Sequence, residues 1–173
     1  MLSDQILSAF MNKLAVKIRQ SFDTGAPPQF PDFGSNWKFS ESFEETGYFK
    51  DKSWDELSVP DFENHTCCHS FFPDNVALYY FGANMYVECV AEQYWSMAMD
   101  RLLTDLAWRF TPKKKVFGRS SRFGFLWNLM DEPQRNLVVE YLERATADGP
   151  MRELEVIRDA LSKITHASWP SGH

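Results

Sequence analysis

The stretch Pro73-Asp74-Asn75-Val76-Ala77-Leu78-Tyr79-Tyr80-Phe81-Gly82-Ala83-Asn84-Met85-Tyr86-Val87-Glu88-Cys89-Val90 decides the fold. Pro73 suits a first helical position, where its missing N–H costs nothing, and Asp74 suits the positive end of a helix dipole. Val76, Tyr79, Tyr80, Met85, Val87 and Val90 then place apolar groups almost all the way round a 3.6-residue repeat. Such a helix belongs in an interior, so residues 73–99 are expected to run through the core. Gly82, in its midst, marks a kink or the close crossing of another helix.

Working outward, Tyr94 through Phe110 continue in helical register with Trp95, Met99, Leu102, Leu103 and Leu106, up to Pro112. Upstream, residues 3–22 form an amphipathic pattern, capped by Ser3, with Ile6, Phe10, Leu14 and Ile18 on one stripe. Gly25, Pro27 and Pro28 deny that helix a further turn. The chain to about Phe39 reads as loop pinned by Phe30, Phe33 and Trp37. Ser53-Trp54-Asp55-Glu56 has capping-box spacing and starts a brief turn through Leu57, limited by Pro60. Downstream, Asp131-Glu132-Pro133-Gln134 opens a helix on Leu137, Val138, Tyr141, Leu142 and Ala145, closed by Gly149-Pro150. A last helix uses Leu154, Ile157, Leu161 and Ile164, with Trp169-Pro170 trailing as a hydrophobic lid. No period-two run is long enough to insist on a strand. The expectation is an all-α, single helical domain over residues 1–173: a bundle of about five to six helices, with an irregular acidic segment (24–63, short helical turns only) after the first.

Fifteen Phe, six Tyr and six Trp in 173 residues supply ample surface to bury, and a 24% charged fraction argues against wholesale disorder. The net charge of −6 disfavours nucleic acid and anionic membranes and favours a basic partner. Met1 to Ile6 lacks a basic region followed by an apolar run, so no secretory signal is expected. Three cysteines, Cys67, Cys68 and Cys89, suit a reducing compartment, and the reading is a cytoplasmic protein.

Chemistry-bearing patterns are sparse. His65-x-Cys67-Cys68-His69 could offer zinc ligands, but adjacent cysteines seldom point together and no second ligand pair follows; a buried turn is the competing reading. Glu88 and Glu92, four apart on the apolar helix, could be tuned as acid and base. Alternatively they mark a polar stripe facing solvent, or pair with Arg101. Ser120-Ser121 between Arg119 and Arg122 lacks any nucleophile-elbow or phosphate-loop glycine pattern. No catalytic residue, metal site or cofactor is therefore assigned.

Charge distribution says more. Residues 41–63 carry Glu41, Glu44, Glu45, Asp51, Asp55, Glu56, Asp61 and Glu63 against Lys50 and Lys52. Phe43, Tyr48, Phe49, Trp54 and Phe62 are interleaved with them. Residues 109–122 carry Arg109, Lys113, Lys114, Lys115, Arg119 and Arg122 with no acid, a stretch that could touch phosphates or the acidic tract of a second copy. Rings among carboxylates make a docking face for a basic protein, unless they simply nail an irregular segment onto the helices.

The order of these elements resembles a family of small, mostly bacterial domains of unknown function. The corresponding segments are Lys52-Ser53-Trp54-Asp55-Glu56-Leu57, Asp74 to Met85, and Met130-Asp131-Glu132-Pro133-Gln134-Arg135 through Val139 with Tyr141-Leu142. Ala160-Leu161 with Trp169 complete the pattern. Gly82 stands where that family has a proline. The resemblance implies an all-α fold, brings no active site, and suggests an antitoxin to a secreted toxin. The resulting expectation is an immunity-type protein, not an enzyme, that masks a basic toxin's active site. Glu44, Glu45, Asp51, Asp55 and Glu56 would supply complementarity, and Tyr48 and Phe49 the anchoring rings. The rival readings are a homo-oligomeric scaffold or regulator, and a hydrolase using Glu88 and Glu92.

Overall fold

The structure, a computed structural model, describes residues 13–31, 40–109, 122–148 and 162. The regular elements among the described residues are all helices, with no strand. They are α1 (13–22), α2 (Glu41–Gly47), a 3-10 turn (Trp54–Glu56), α3 (Val59–Asn64), α4 (Cys68–Phe71), α5 (Asp74–Ala91), α6 (Met97–Arg109), α7 (Arg122–Leu129) and α8 (Glu132–Asp148). This exceeds the five to six helices expected, because the long 73–110 pattern is broken once and the acidic segment folds into several short helices. Ile6, Phe10, Phe33, Trp37, the basic run at 113–119, Ser120-Ser121, the last helix and Trp169-Pro170 lie outside the described residues.

α5 is the axle. Val76, Ala77, Tyr79, Tyr80, Phe81, Gly82, Ala83, Asn84, Met85, Val87, Glu88 and Cys89 are all buried. Its all-round apolar pattern gives it little solvent face to prefer, so shorter elements cover most of it and leave mainly its two ends exposed. α1 crosses it at Gly82, where Phe22 and Trp54 fill the space a side chain would take. α1 stops where Asp23 Oδ1 accepts the Gly25 N–H at 2.8 Å, with Gly25 at φ 80°. Gln134, at the start of α8, reaches back to Ser21 O at 2.8 Å, and Lys17 pairs with Glu140 at 3.0 Å. These contacts lay α8 beside α1.

The short helices of the acidic segment are started by their own side chains. Ser40 Oγ accepts the Phe43 N–H; Ser53 and Glu56 form the expected capping box. A second box, Ser58 with Asp61, opens α3, so Pro60 begins that helix as well as bounding the turn before it. Between them Phe49 sits fully buried, edge-on to Phe72 at 5.2 Å and Tyr80 at 5.5 Å and tilted on Phe62 at 5.1 Å.

The basic run loses one member to the core. The Arg122 guanidinium donates to His69 O at 3.0 Å, Phe72 O at 2.5 Å and Asp74 Oδ1 at 3.0 Å, and so clasps α4 and the start of α5. It is not available to a phosphate. Arg122→Lys, which keeps the charge but can reach at most one or two of these acceptors, is expected to lower stability by about 2 kcal/mol. Urea unfolding checks this; a loss below about 0.5 kcal/mol would show the fork to be idle.

Candidate functional site

Where the expected helix over 73–99 was to run on, the chain breaks. Glu92 adopts φ 52° and Trp95 φ 70°, both left-handed and neither a glycine. What holds this turn is Glu88, whose side chain is entirely buried. Its Oε2 accepts the Trp95 N–H at 3.0 Å and its Oε1 the Ser96 N–H at 3.0 Å. The Tyr141 hydroxyl, from α8, also donates to Oε2. Ser96 in turn caps α6, accepting the Met99 N–H. Glu88 thus neither faces solvent nor pairs with Arg101, and Glu92 is exposed at the helix end, so the two carboxylates do not form a pair. Burial pushes the Glu88 carboxyl up to about 7, against the opposing pull of its Ser96, Tyr141 and Trp95 donors. Burial and the neighbouring Glu88 charge raise Tyr141 well above the ordinary phenol range.

The network extends inward. Ser96 Oγ donates to Asn84 Oδ1 at 3.0 Å, which turns the Asn84 amide toward His69 Nε2 at 2.9 Å. His69 is caged by Phe62, Phe72 and Phe81, with ring centroids 5.7 to 6.0 Å away. Burial, helped by the Arg122 charge, pushes its imidazole down to about 3. His65 goes elsewhere, stacking on Tyr48 at 4.4 Å. Cys67 and Cys68 are buried free thiols. The two histidines therefore serve separate sites. Among the described residues no three His, Cys, Asp or Glu side chains are gathered to hold a metal ion.

The residues expected to bind a partner separate into two groups. Phe49 is core, a correction to its assignment as an anchor: its short loop between α2 and the 3-10 turn has to be nailed to α5. Three acidic members already have partners within the fold. Glu45 accepts the Cys67 N–H at 3.0 Å. Asp55 takes both arms of Arg19 at 2.6 and 2.9 Å, which holds its carboxyl below the usual range. Glu56 is spent on Ser53, whose N–H and hydroxyl lower it likewise. What remains outward is Glu44, Tyr48 and Asp51, joined by Glu41 and Phe43. Phe43 is 42% exposed and Tyr48 40%. Tyr48 is nonetheless positioned: its hydroxyl donates to Asp61 and Lys52 Nζ stands 3.1 Å from its ring centre. Glu41, Glu44 and Asp51 form no ion pair among the described residues.

A groove of about 350 Å³ lies between the 3-10 turn, α3 and the end of α5, with Trp54, Leu57, Val59, Val87 and Val90 in its walls. Its one charged wall residue, Asp55, is already matched by Arg19. No helix of the described residues is long and apolar enough to cross a membrane.

The described residues make this an all-α protein with a buried carboxylate junction and an acidic, partly aromatic outer face. Comparison of the chain with protein-family models, with curated proteins and with solved structures finds no match.

Proposed function

We propose that this is a binding protein whose α2 and following turn dock a basic surface of another protein, and that it acts as an immunity-type inhibitor masking a toxin's active site. The observation that supports this reading is the division of the acidic tract. Phe49, Trp54 and Phe62 are buried, whereas Phe43 and Tyr48 stay about two-fifths exposed beside Glu41, Glu44 and Asp51. Rings flanked by unmatched carboxylates combine long-range steering with desolvated anchoring area. Asp51 adds a strained outer position, at φ 65°.

The test uses Glu41→Lys/Glu44→Lys/Asp51→Asn, which alters no carboxylate engaged elsewhere and keeps a residue tolerant of left-handed backbone at 51. With the wild-type protein as bait in a lysate of its native cell, the expected result is one stoichiometric basic partner whose affinity falls as salt is raised. The triple variant, still folded, should bind that partner at least 10-fold more weakly, mostly through slower association. An acidic partner, or unchanged affinity in the folded variant, would sink the assignment.

A further inference from the structure

We propose that the Glu88 junction is a proton-sensitive clamp: α5, α6 and α8 close on this fully buried carboxyl with neutral donors and no cation, so that raising the pH loosens them. The inference rests on geometry. Glu88 is fully buried, and the donors around its carboxyl are neutral dipoles: the Trp95 and Ser96 N–H groups, the Tyr141 hydroxyl and the neighbouring Ser96 hydroxyl. None is a cation.

Two effects compete at that carboxyl. The N–H groups at the start of α6 and the positive end of its dipole favour the anion. Removal from water disfavours it, and no opposite charge is there to offset that cost. Here removal from water prevails, placing the folded carboxyl at about 7 against an ordinary 4.5. The neutral acid has a ready arrangement, since its O–H can donate to the Tyr141 oxygen and reverse that bond.

The titratable neighbours do not supply the missing countercharge. Cys89, next on α5, is pushed up to about 12 by burial and by Glu88 itself. Tyr94, in the turn, is raised by burial and by Cys89, and is the group that Arg144 of α8 engages. Glu140 of α8 adds a like charge near Cys89. His69, reached through Ser96 and Asn84, is uncharged.

The sign follows directly. A carboxyl higher in the folded state than in the unfolded one contributes stability that is full below pH 4.5 and is lost as the pH climbs through 7. A displacement from 4.5 to about 7 corresponds to a change of roughly 300-fold in the unfolding equilibrium constant. Urea unfolding of the wild-type protein and Glu88→Gln from pH 4.5 to 8.5 isolates this proton from all others, because the remaining groups are common to both. The unfolding constant of wild type relative to the variant is expected to rise by roughly 100-fold or more across that range. A ratio constant within about threefold would overturn the proposal. Should the glutamine protein fail to fold, carbon-13 carboxyl shifts of the wild type decide: a Glu88 midpoint near 7, moving with the Trp95 and Ser96 amides, is expected. A midpoint below 5 would overturn the clamp.

Discussion

Gly82→Ala is expected to lower stability by about 3 kcal/mol, and Gly82→Val to leave the protein unfolded. At an exposed helical site alanine would add about 1 kcal/mol, so the sign of the effect is itself the test. A Cβ on Gly82 would stand 2.8 Å from Phe22 Cγ and 3.0 Å from Trp54 Cη2, and nearer still to Phe22 Cβ. Phe22 Cβ is fixed to the α1 backbone, so it cannot swing aside as the tip of a long side chain would. α1 would have to lift away from α5, which would also disturb the edge-on contact of Phe22 with Phe81 at 6.3 Å. Trp54 is no softer, being 1% exposed and wedged between Tyr79 and Tyr86. Phe22→Leu combined with Gly82→Ala relieves the clash only in part, because the Phe22 Cβ position remains in leucine. Urea unfolding of the single and double variants measures the coupling. An alanine protein as stable as wild type would mean that α1 does not cross at Gly82.

Much of this arrangement is legible in the sequence, wherever one local cause acts alone. The all-round apolar pattern of α5, the Ser53 and Glu56 box and the Asp131 and Gln134 box follow from period and spacing, and each is present. Gly82 belongs with them, as a close crossing. The break after Ala91 is different. No glycine or proline marks it; it forms because a carboxylate four residues upstream collects the N–H groups of Trp95 and Ser96, a gain realised only once α8 covers the site with Tyr141. Partner-face residues were separable only after folding, for a similar reason. Whether a carboxylate is free depends on what stands opposite it in space, as Arg19 does for Asp55 across 36 residues. Phe49 reads like Tyr48 by composition, yet one ring fills the core and the other its rim.

Acidification supplies the second large effect, and it works against Glu88. As the pH falls from 7 to 4.5 the wild-type protein is expected to lose about 2–3 kcal/mol through His69 alone, and about 4 kcal/mol by pH 3. His69 Nε2 accepts from the Asn84 amide, so a proton there would set donor against donor, while three phenyl rings exclude water. Its Nδ1 finds no acceptor either. The imidazole is held at about 3 when folded and recovers 6.5 when unfolded, so the unfolded chain takes up the proton first and stability is lost as the pH drops through that window. Between pH 4.5 and 6.5 the Glu88 proton has the opposite sign, so the wild-type protein should show nearly flat stability there, followed by a steep fall below 4.5. Asp55, Glu56 and Asp61 steepen that fall, since all three are held below their ordinary values: Asp55 by Arg19, Glu56 by Ser53, and Asp61 by Tyr48 and Ser58 in spite of its burial. His69→Gln removes the titration while keeping an oxygen to accept from Asn84. That variant should be the less stable protein at pH 7, having lost its stacking on Phe62, and should close most of the gap by pH 4.5. Glu88→Gln should do the reverse, turning the flat region into a slope in which stability rises with pH. A gap between wild type and His69→Gln that does not change with pH, or a His69 ring proton titrating near 6.5, would show that water reaches this site and that the cage of phenyl rings is open.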